Sequence, residues 1–326
     1  MSGSQHRQVL ASVFTILSVV GALAVAALSG GCALRTREGL RAYERGDDGR
    51  AEALWSVAAE TGDADAHYLL GVAHEEGRAR SSDPKRAVEH YRQAARLGHA
   101  AASNNLGLAL LYGRGVDADL ESAIVHLRDA AEAGFAKAQS NLGVLGVLGA
   151  SPNVSAREGI EWLQRASAAG EVVAKRMLGL AWHRGVGVPQ EAATAMKWYR
   201  SAAKAGDAFS QFQYALACST GDGVAADPTE AFRWMERAAL AGNLDAQFCV
   251  GWMHEFGHGV AVNKTTAMAW NKLAARAGHQ NAARAAERLA ARLDDTSTSA
   301  ALAKLADLGD LVAQRGEAAV VASPTR

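Results

Sequence analysis

Seven glycines, Gly62, Gly98, Gly134, Gly170, Gly206, Gly242 and Gly278, recur at a fixed interval of 36 residues. A period of that length makes each unit one piece of supersecondary structure that buries its apolar face only against its neighbours, which confines the chain to a solenoid. A stack of this kind offers an extended surface rather than one enclosed pocket, and so favours binding over catalysis. With each glycine counted as position 0, position 4 is always small (Ala66, Ala102, Ala138, Ala174, Ser210, Ala246, Ala282). Position 9 is Gly71, Gly107, Gly143, Gly179, Ala215 and Gly251, position 15 is glycine in all six full units, and position 32 is always alanine.

Apolar and small residues recur at three- and four-residue steps on both sides of a glycine-rich break, which predicts two helices per unit. Helix A is expected from position 2 to 14. Glycine at 15, often with a second at 17 as in Gly113-Arg-Gly115, fits a helix end and turn that need positive φ. Helix B is expected from about position 21, where Asp83-Pro84 and Asp227-Pro228 place a capping acid before a proline suited to the first helical turn. Position 28 carries His90, His126, Trp162, Trp198, Trp234 and Trp270, a column of flat rings expected to pack unit on unit.

These residues resemble the Sel1-like repeat, a relative of the tetratricopeptide repeat. The match is carried by Leu106-Gly107, Gly113-Arg-Gly115-Val116, Gly221-Asp-Gly223-Val224-Ala-Ala-Asp227, Lys197-Trp198-Tyr199 and Ala202-Ala203-Lys204-Ala205-Gly206. The resemblance implies an all-α, right-handed α-solenoid of helix-turn-helix repeats. The expected organisation is a targeting segment over 1–32, a capping helix pair over 33–61, six repeats over 62–277, capping helices over 278–314 and a disordered tail over 315–326. No internal boundary is expected within the array. The third unit departs from the family pattern at Gly146, Ser151 and Gly159, and a looser turn is expected there.

Residues 1–32 differ in kind. His6 and Arg7 precede a charge-free run from Val9 to Gly31, the pattern of a targeting segment. It ends in Leu28-Ser-Gly-Gly-Cys32, which resembles the lipobox of bacterial lipoproteins and implies lipidation of Cys32 after cleavage, although Ser29 stands where that family prefers leucine. Two other readings remain open: an uncleaved anchor, since Val9 to Leu28 is long enough to span a bilayer, and plain secretion after Ala24-Val-Ala26. Arg35, Arg37 and Arg41 oppose an anchor with an exported C-terminus. With Cys32 lipidated, Ala33 at the next place implies an outer-membrane protein facing the periplasm, with an inner-membrane anchor as the alternative. The other two cysteines, Cys218 and Cys249, sit five positions out of register in neighbouring A helices and are expected as buried free thiols.

His254-Glu255-Phe256-Gly257-His258 satisfies the H-E-x-x-H pattern of zinc proteases. That chemistry needs both histidines on one face of a continuous helix, and Gly257 is the repeat's own turn glycine. His74-Glu75-Glu76-Gly77 fills the same register without the final histidine, so the expectation is repeat sequence, with no metal. No nucleophile elbow, phosphate loop or Cys-x-x-Cys pair occurs, and no catalytic residue or cofactor is assigned. Thirty-four basic residues balance 34 acidic ones, which gives no footprint for nucleic acid.

The surface remains. Positions 3, 7, 10 and 14 form one stripe along helix A. Position 7 runs Leu69, Asn105, Asn141, Met177, Gln213, Cys249, and position 14 runs Glu76, Tyr112, Leu148, Arg184, Thr220, Phe256. Position 10 stays apolar: Val72, Leu108, Val144, Leu180, Leu216, Trp252. It either floors a groove for a peptide or partner helix or packs against helix B. By analogy with tetratricopeptide arrays, Asn105 and Asn141 are candidates to clamp a peptide backbone. The expected partner-binding set is Asn105, Asn141, Met177, Gln213, Arg184, Leu180, Leu216 and Trp252. The expected function is a non-enzymatic scaffold binding a protein or peptide at the bacterial cell envelope. The alternatives are an envelope hydrolase, penicillin-binding or zinc-dependent, and a cytoplasm-facing adaptor on an uncleaved anchor.

Overall fold

Two helices per 36-residue unit need two chain reversals, and glycine supplies both. The computed structural model describes residues 33–79 and 83–322, with side chains through Arg315. The targeting segment and Cys32 lie outside the described residues. All regular structure is helical, and no strand occurs among the described residues. A helix over 33–44 (α1) and α2 (Asp48–Glu60) precede the repeats. The A helices are α3 (Ala64–Glu75), α5 (Ala100–Tyr112), α7 (Ala136–Val147), α9 (Val172–Arg184), α11 (Ala208–Thr220) and α13 (Leu244–Phe256). The B helices are α4 (Pro84–Arg96), α6 (Leu120–Glu132), α8 (Ala156–Ala168), α10 (Ala192–Lys204), α12 (Pro228–Leu240) and α14 (Lys264–Arg276), and α15 (Gln280–Ala290) and α16 (Asp295–Ala322) follow. The result is an all-α repeat solenoid.

The capping chemistry explains the boundaries. Asp83 accepts hydrogen bonds from the Lys85 and Arg86 amides, and Asp227 from those of Thr229 and Glu230, each ahead of a proline in the first turn. At the other reversal His99 and His279 cap α5 and α15 through ring nitrogens that accept from the Ala102 and Ala282 amides, both at 3.1 Å. The A–B turn is closed by the amide of position 21 donating to the carbonyl of position 12, as in Asp227 to Cys218 and Asn263 to His254, both 2.8 Å. Buried glutamines add a strut between successive units: Gln211 and Gln247 donate through Nε2 to the carbonyls of Ala203 and Ala239, both at 3.1 Å.

The chain forms two compact units, one through Leu142 and one from Gly143. The division falls inside α7, in the third repeat, whereas the unbroken period predicts an array without internal boundary. In the first unit Trp55 is buried beside Gly39 and donates Nε1–H to the Thr36 carbonyl at 3.1 Å, which fastens α2 on α1. In the second, α16 lies against α14 and α12 and buries Ala301, Leu305 and Leu308. The third repeat's turn is not loose. A Cβ on Gly146 would lie 2.9 Å from Gly159 Cα, so the departures from the family pattern bring α7 and α8 into backbone contact. The last helix, α16, runs past the capping helices expected over 278–314 to Ala322, because Glu317-Ala-Ala-Val-Val-Ala322 contains no breaker before Pro324. Residues 315–322 are therefore helical, in place of the disordered tail expected from sequence.

Two glycines show that the repeat uses this residue for different reasons. Gly206 has φ +96°, and a Cβ added to it would meet nothing within 4 Å, so backbone handedness alone requires glycine there. Gly223 has φ +72°, and its Cβ would also lie 2.5 Å from the Ala192 carbonyl carbon at the start of α10. Gly206→Ala is expected to cost about 1–2 kcal/mol. Gly223→Ala is expected to cost about 1–3 kcal/mol more through overpacking, and the urea midpoints of the two variants check the order.

Candidate functional site

In five of the six repeats the A helix meets its B helix where position 9 is glycine, and position 29 fills the space; the fifth repeat has Ala215 there. In the first repeat a Cβ on Gly71 would lie 2.6 Å from the Tyr91 ring. The phenol passes across the interface and donates to Glu75 Oε2 at 2.6 Å. Burial, together with the Glu75 carboxylate, raises the Tyr91 phenol well above its ordinary range, so it remains a donor. Asn105 hydrogen-bonds the same phenol. Asn104, buried, donates to Asn105 Oδ1 at 3.1 Å and accepts at Oδ1 from Asn141 Nδ2 at 2.9 Å. Asn105 and Asn141 are thus half-buried members of one side-chain chain that runs from Glu75 to α7.

The remaining stripe residues divide. Leu180 and Leu216 are half-buried and pack on the cores of their own repeats, so position 10 keeps one edge in the interior and one in solvent. Gln213 is half-buried and Arg184 exposed. Met177 is a correction: it is 7% exposed and lies in the core with Ile160, Leu163 and Leu178. Its flexible thioether fills an interior gap instead of facing a partner. Position 14 projects furthest, with Tyr112 64% and Phe256 58% exposed, and Trp252 at position 10 is 44% exposed.

Around Trp252 the surface opens into a cleft of about 390 Å³ between α13 and α15, lined by Phe248, Trp252, Phe256, Glu255, Asn271 and Arg284 among others. Trp252 and Phe256 stack obliquely, with ring centroids 5.4 Å apart. Glu255 is buried and paired with Arg288 at 2.9 Å. Asn271 is fully buried on Gly251; its Nδ2 donates to the Ala267 carbonyl at 2.9 Å, and its Oδ1 has no hydrogen-bond partner. Of these residues only Trp252 belongs to the partner-binding set expected from sequence. Asn271 was findable from sequence, because it breaks a position-29 column of Tyr91, Leu127, Leu163, Tyr199 and Met235.

A family model for the Sel1 repeat matches residues 64–99, 100–135, 136–171, 172–207, 208–243 and 244–279, six contiguous copies. The chain belongs to the Sel1 repeat family. Its structure is similar to that of a Sel1 repeat protein from Oxalobacter formigenes, with TM-score 0.68 and 30% identity over 74% of this chain and 99% of that one. It is also similar in fold to c5321, a protective antigen of uropathogenic Escherichia coli strains, with TM-score 0.54 and 22% identity over 92% of this chain and 73% of that one. A search of curated proteins finds no match.

In this Sel1 repeat chain the H-E-x-x-H residues diverge. Gly257 takes φ +78° and ends α13. His254 meets the Phe232 ring edge-on at 5.2 Å, Glu255 turns to Arg288, and His258 Nε2 lies 2.9 Å from Ser219 Oγ in the preceding repeat. The three side chains therefore do not converge on a point. Cys218 is buried, Cys249 half-buried, and both are free thiols. Burial raises both, Cys249 to about 11, which leaves little thiolate at neutral pH.

Histidines gather in the first repeat. His67 Nδ1 lies 3.2 Å from His90 Nδ1, and His74 stacks on His90 with centroids 5.6 Å apart. Burial lowers His67 and lowers His90 to about 4; the neighbouring His67, His74 and Arg86 push His90 further down, and Glu89 opposes them. Burial also lowers His99, whose ring nitrogen must stay unprotonated to cap α5. The unfolded chain takes up these protons below about pH 6.5 while the folded chain does not. Stability is therefore expected to fall as pH drops from about 6.5 towards 4. Thermal unfolding of wild type and His90→Phe should show this, with a shallower pH dependence in the variant.

Proposed function

We propose that this chain is a non-enzymatic scaffold that holds a protein partner on the exposed faces of its A helices while tethered at the bacterial cell envelope. One observation carries the partner-binding half: Tyr112, Leu148 and Phe256 at position 14, and Trp252 beside Phe256, remain exposed although they are large and apolar. Exposed apolar side chains that recur at one repeat register are what a binding face needs and what a freely soluble surface avoids. Polar groups on the A-helix stripe are supplied by Asn105 and Asn141 in the first unit and by Gln213 and Arg184 in the second, where Leu180 and Leu216 add half-buried apolar surface. Asn105 and Asn141 contribute as a hydrogen-bonded pair bridged by Asn104, so they orient together.

The envelope half rests on the sequence of residues 1–32. His6 and Arg7, the charge-free run and Leu28-Ser-Gly-Gly-Cys32 support a cleaved, lipidated N-terminus at Cys32 and a periplasmic array at the outer membrane.

Intact mass and palmitate labelling of wild type and Cys32→Ser in a bacterial host test the tether. The expected outcome is a diacylglycerol-modified, processed wild type and an unlabelled variant; equal labelling would remove the lipid anchor. Affinity capture by the full chain from envelope extracts should recover a specific partner. Capture is expected to fall at least about ten-fold with Trp252→Ala plus Phe256→Ala, in line with the loss of an aromatic anchor. Unchanged capture would move the binding face elsewhere.

A further inference from the structure

The first and sixth repeats place the same groups around very different contents. In the first, Tyr91 lies on Gly71, and its phenol sits between Glu75 at position 13 and Asn105 at position 7 of the next repeat. The sixth keeps the glycine, Gly251, and the acid, Glu255. Asn271 stands in the place of the tyrosine, and Ala285 in that of Asn105. Both changes remove volume at the same point of the repeat, and the cleft of about 390 Å³ is bordered by Glu255, Asn271 and Ala285. Asn271, fully buried and with no donor to its Oδ1, is among the residues that border the cleft. A buried acceptor without a donor is costly.

We propose that the cleft over Asn271 is a docking site for a tyrosyl side chain carried on an acidic peptide segment of the partner, an inference that rests on the scaffold reading above. The ring enters outside the Asn271 amide, which itself covers Gly251, and takes the outer part of the place that Tyr91 fills in its own repeat, packing against Phe248 and Trp252. Its hydroxyl donates to Glu255, the acid that stands where Glu75 accepts from Tyr91. The segment's acidic groups meet Arg284, which is exposed at the cleft wall and has no ion-pair partner among the described residues, whereas Arg288 is already paired with Glu255. Charge complementarity therefore selects an acidic segment over a basic one.

The test is isothermal titration of the full chain, in detergent, with the blocked tripeptide acetyl-Glu-Tyr-Glu-amide. Saturable binding is expected, weakened about ten-fold when phenylalanine replaces tyrosine, because Glu255 loses the phenol donor. Replacing both glutamates by glutamine should weaken binding in wild type but not in Arg284→Ala. Asn271→Tyr should fill the cleft with the protein's own phenol and abolish binding while the helical content and thermal midpoint are retained. If that variant does not fold, the loss of the Glu-over-Gln preference in Arg284→Ala decides. Absence of saturable binding, equal binding of the tyrosine and phenylalanine peptides, or full binding by a folded Asn271→Tyr would each overturn the proposal. Partner capture without tripeptide binding overturns the cleft assignment alone. Tripeptide binding with no partner captured supports the cleft and overturns the scaffold reading.

Discussion

A contact between one helix backbone and one side chain underlies the array. At position 9 glycine lets helix A approach helix B until a position-29 side chain lies directly on its Cα, as Leu163 does on Gly143 and Tyr199 on Gly179. At each of these glycines a Cβ would collide with the partner side chain, whereas the fifth repeat carries Ala215 against Met235, so the helix spacing and the identity of position 29 are set together. The choice made at position 29 then determines what each repeat does at its edge. Tyr91 spans the interface and organises Glu75 and Asn105, Leu127 and Leu163 close it with hydrocarbon, and the shorter Asn271 covers Gly251 but borders a cleft at the edge.

Polar side chains inside the array are used as ties. Gln139, Gln211 and Gln247 each donate to a carbonyl near the end of the preceding B helix, at 3.1 Å in all three cases. Those carbonyls belong to helix ends, where the backbone's own ladder leaves acceptors over. The Asn141–Asn104–Asn105 chain works in the same way and joins two A helices by side chains alone. Histidine at an N-cap is a further variant, and it makes the start of the second repeat's A helix sensitive to acid, since protonation removes the lone pair that accepts from the Ala102 amide.

Much of this is legible in residue order. The A helices α5, α9, α11 and α13 begin two residues after the ladder glycine and end at position 14, as the spacing predicts. The H-E-x-x-H match dissolves for the reason visible in the register, that Gly257 is a turn residue. Met177 escapes a sequence reading because position 7 varies between repeats, and variation at a position does not by itself mean exposure. The Met177 side chain packs with Ile160, Leu163 and Leu178 in the core. The third repeat escapes it because missing side chains do not mean slack: two facing glycines allow a closer approach than alanine would.

Sequence by itself determined most helix boundaries within the repeats, the turn chemistry and the family, because these depend on φ, capping and periodicity, which act over a few residues. It also held the anomaly at Asn271, as a break in a column. Only the tertiary structure decided that this break opens a cleft, that Glu255 and Arg288 pair at its wall, and that Asn104 bridges the two candidate asparagines. Those outcomes depend on which side chains from separate helices share one volume, and packing of that kind has no period along the chain.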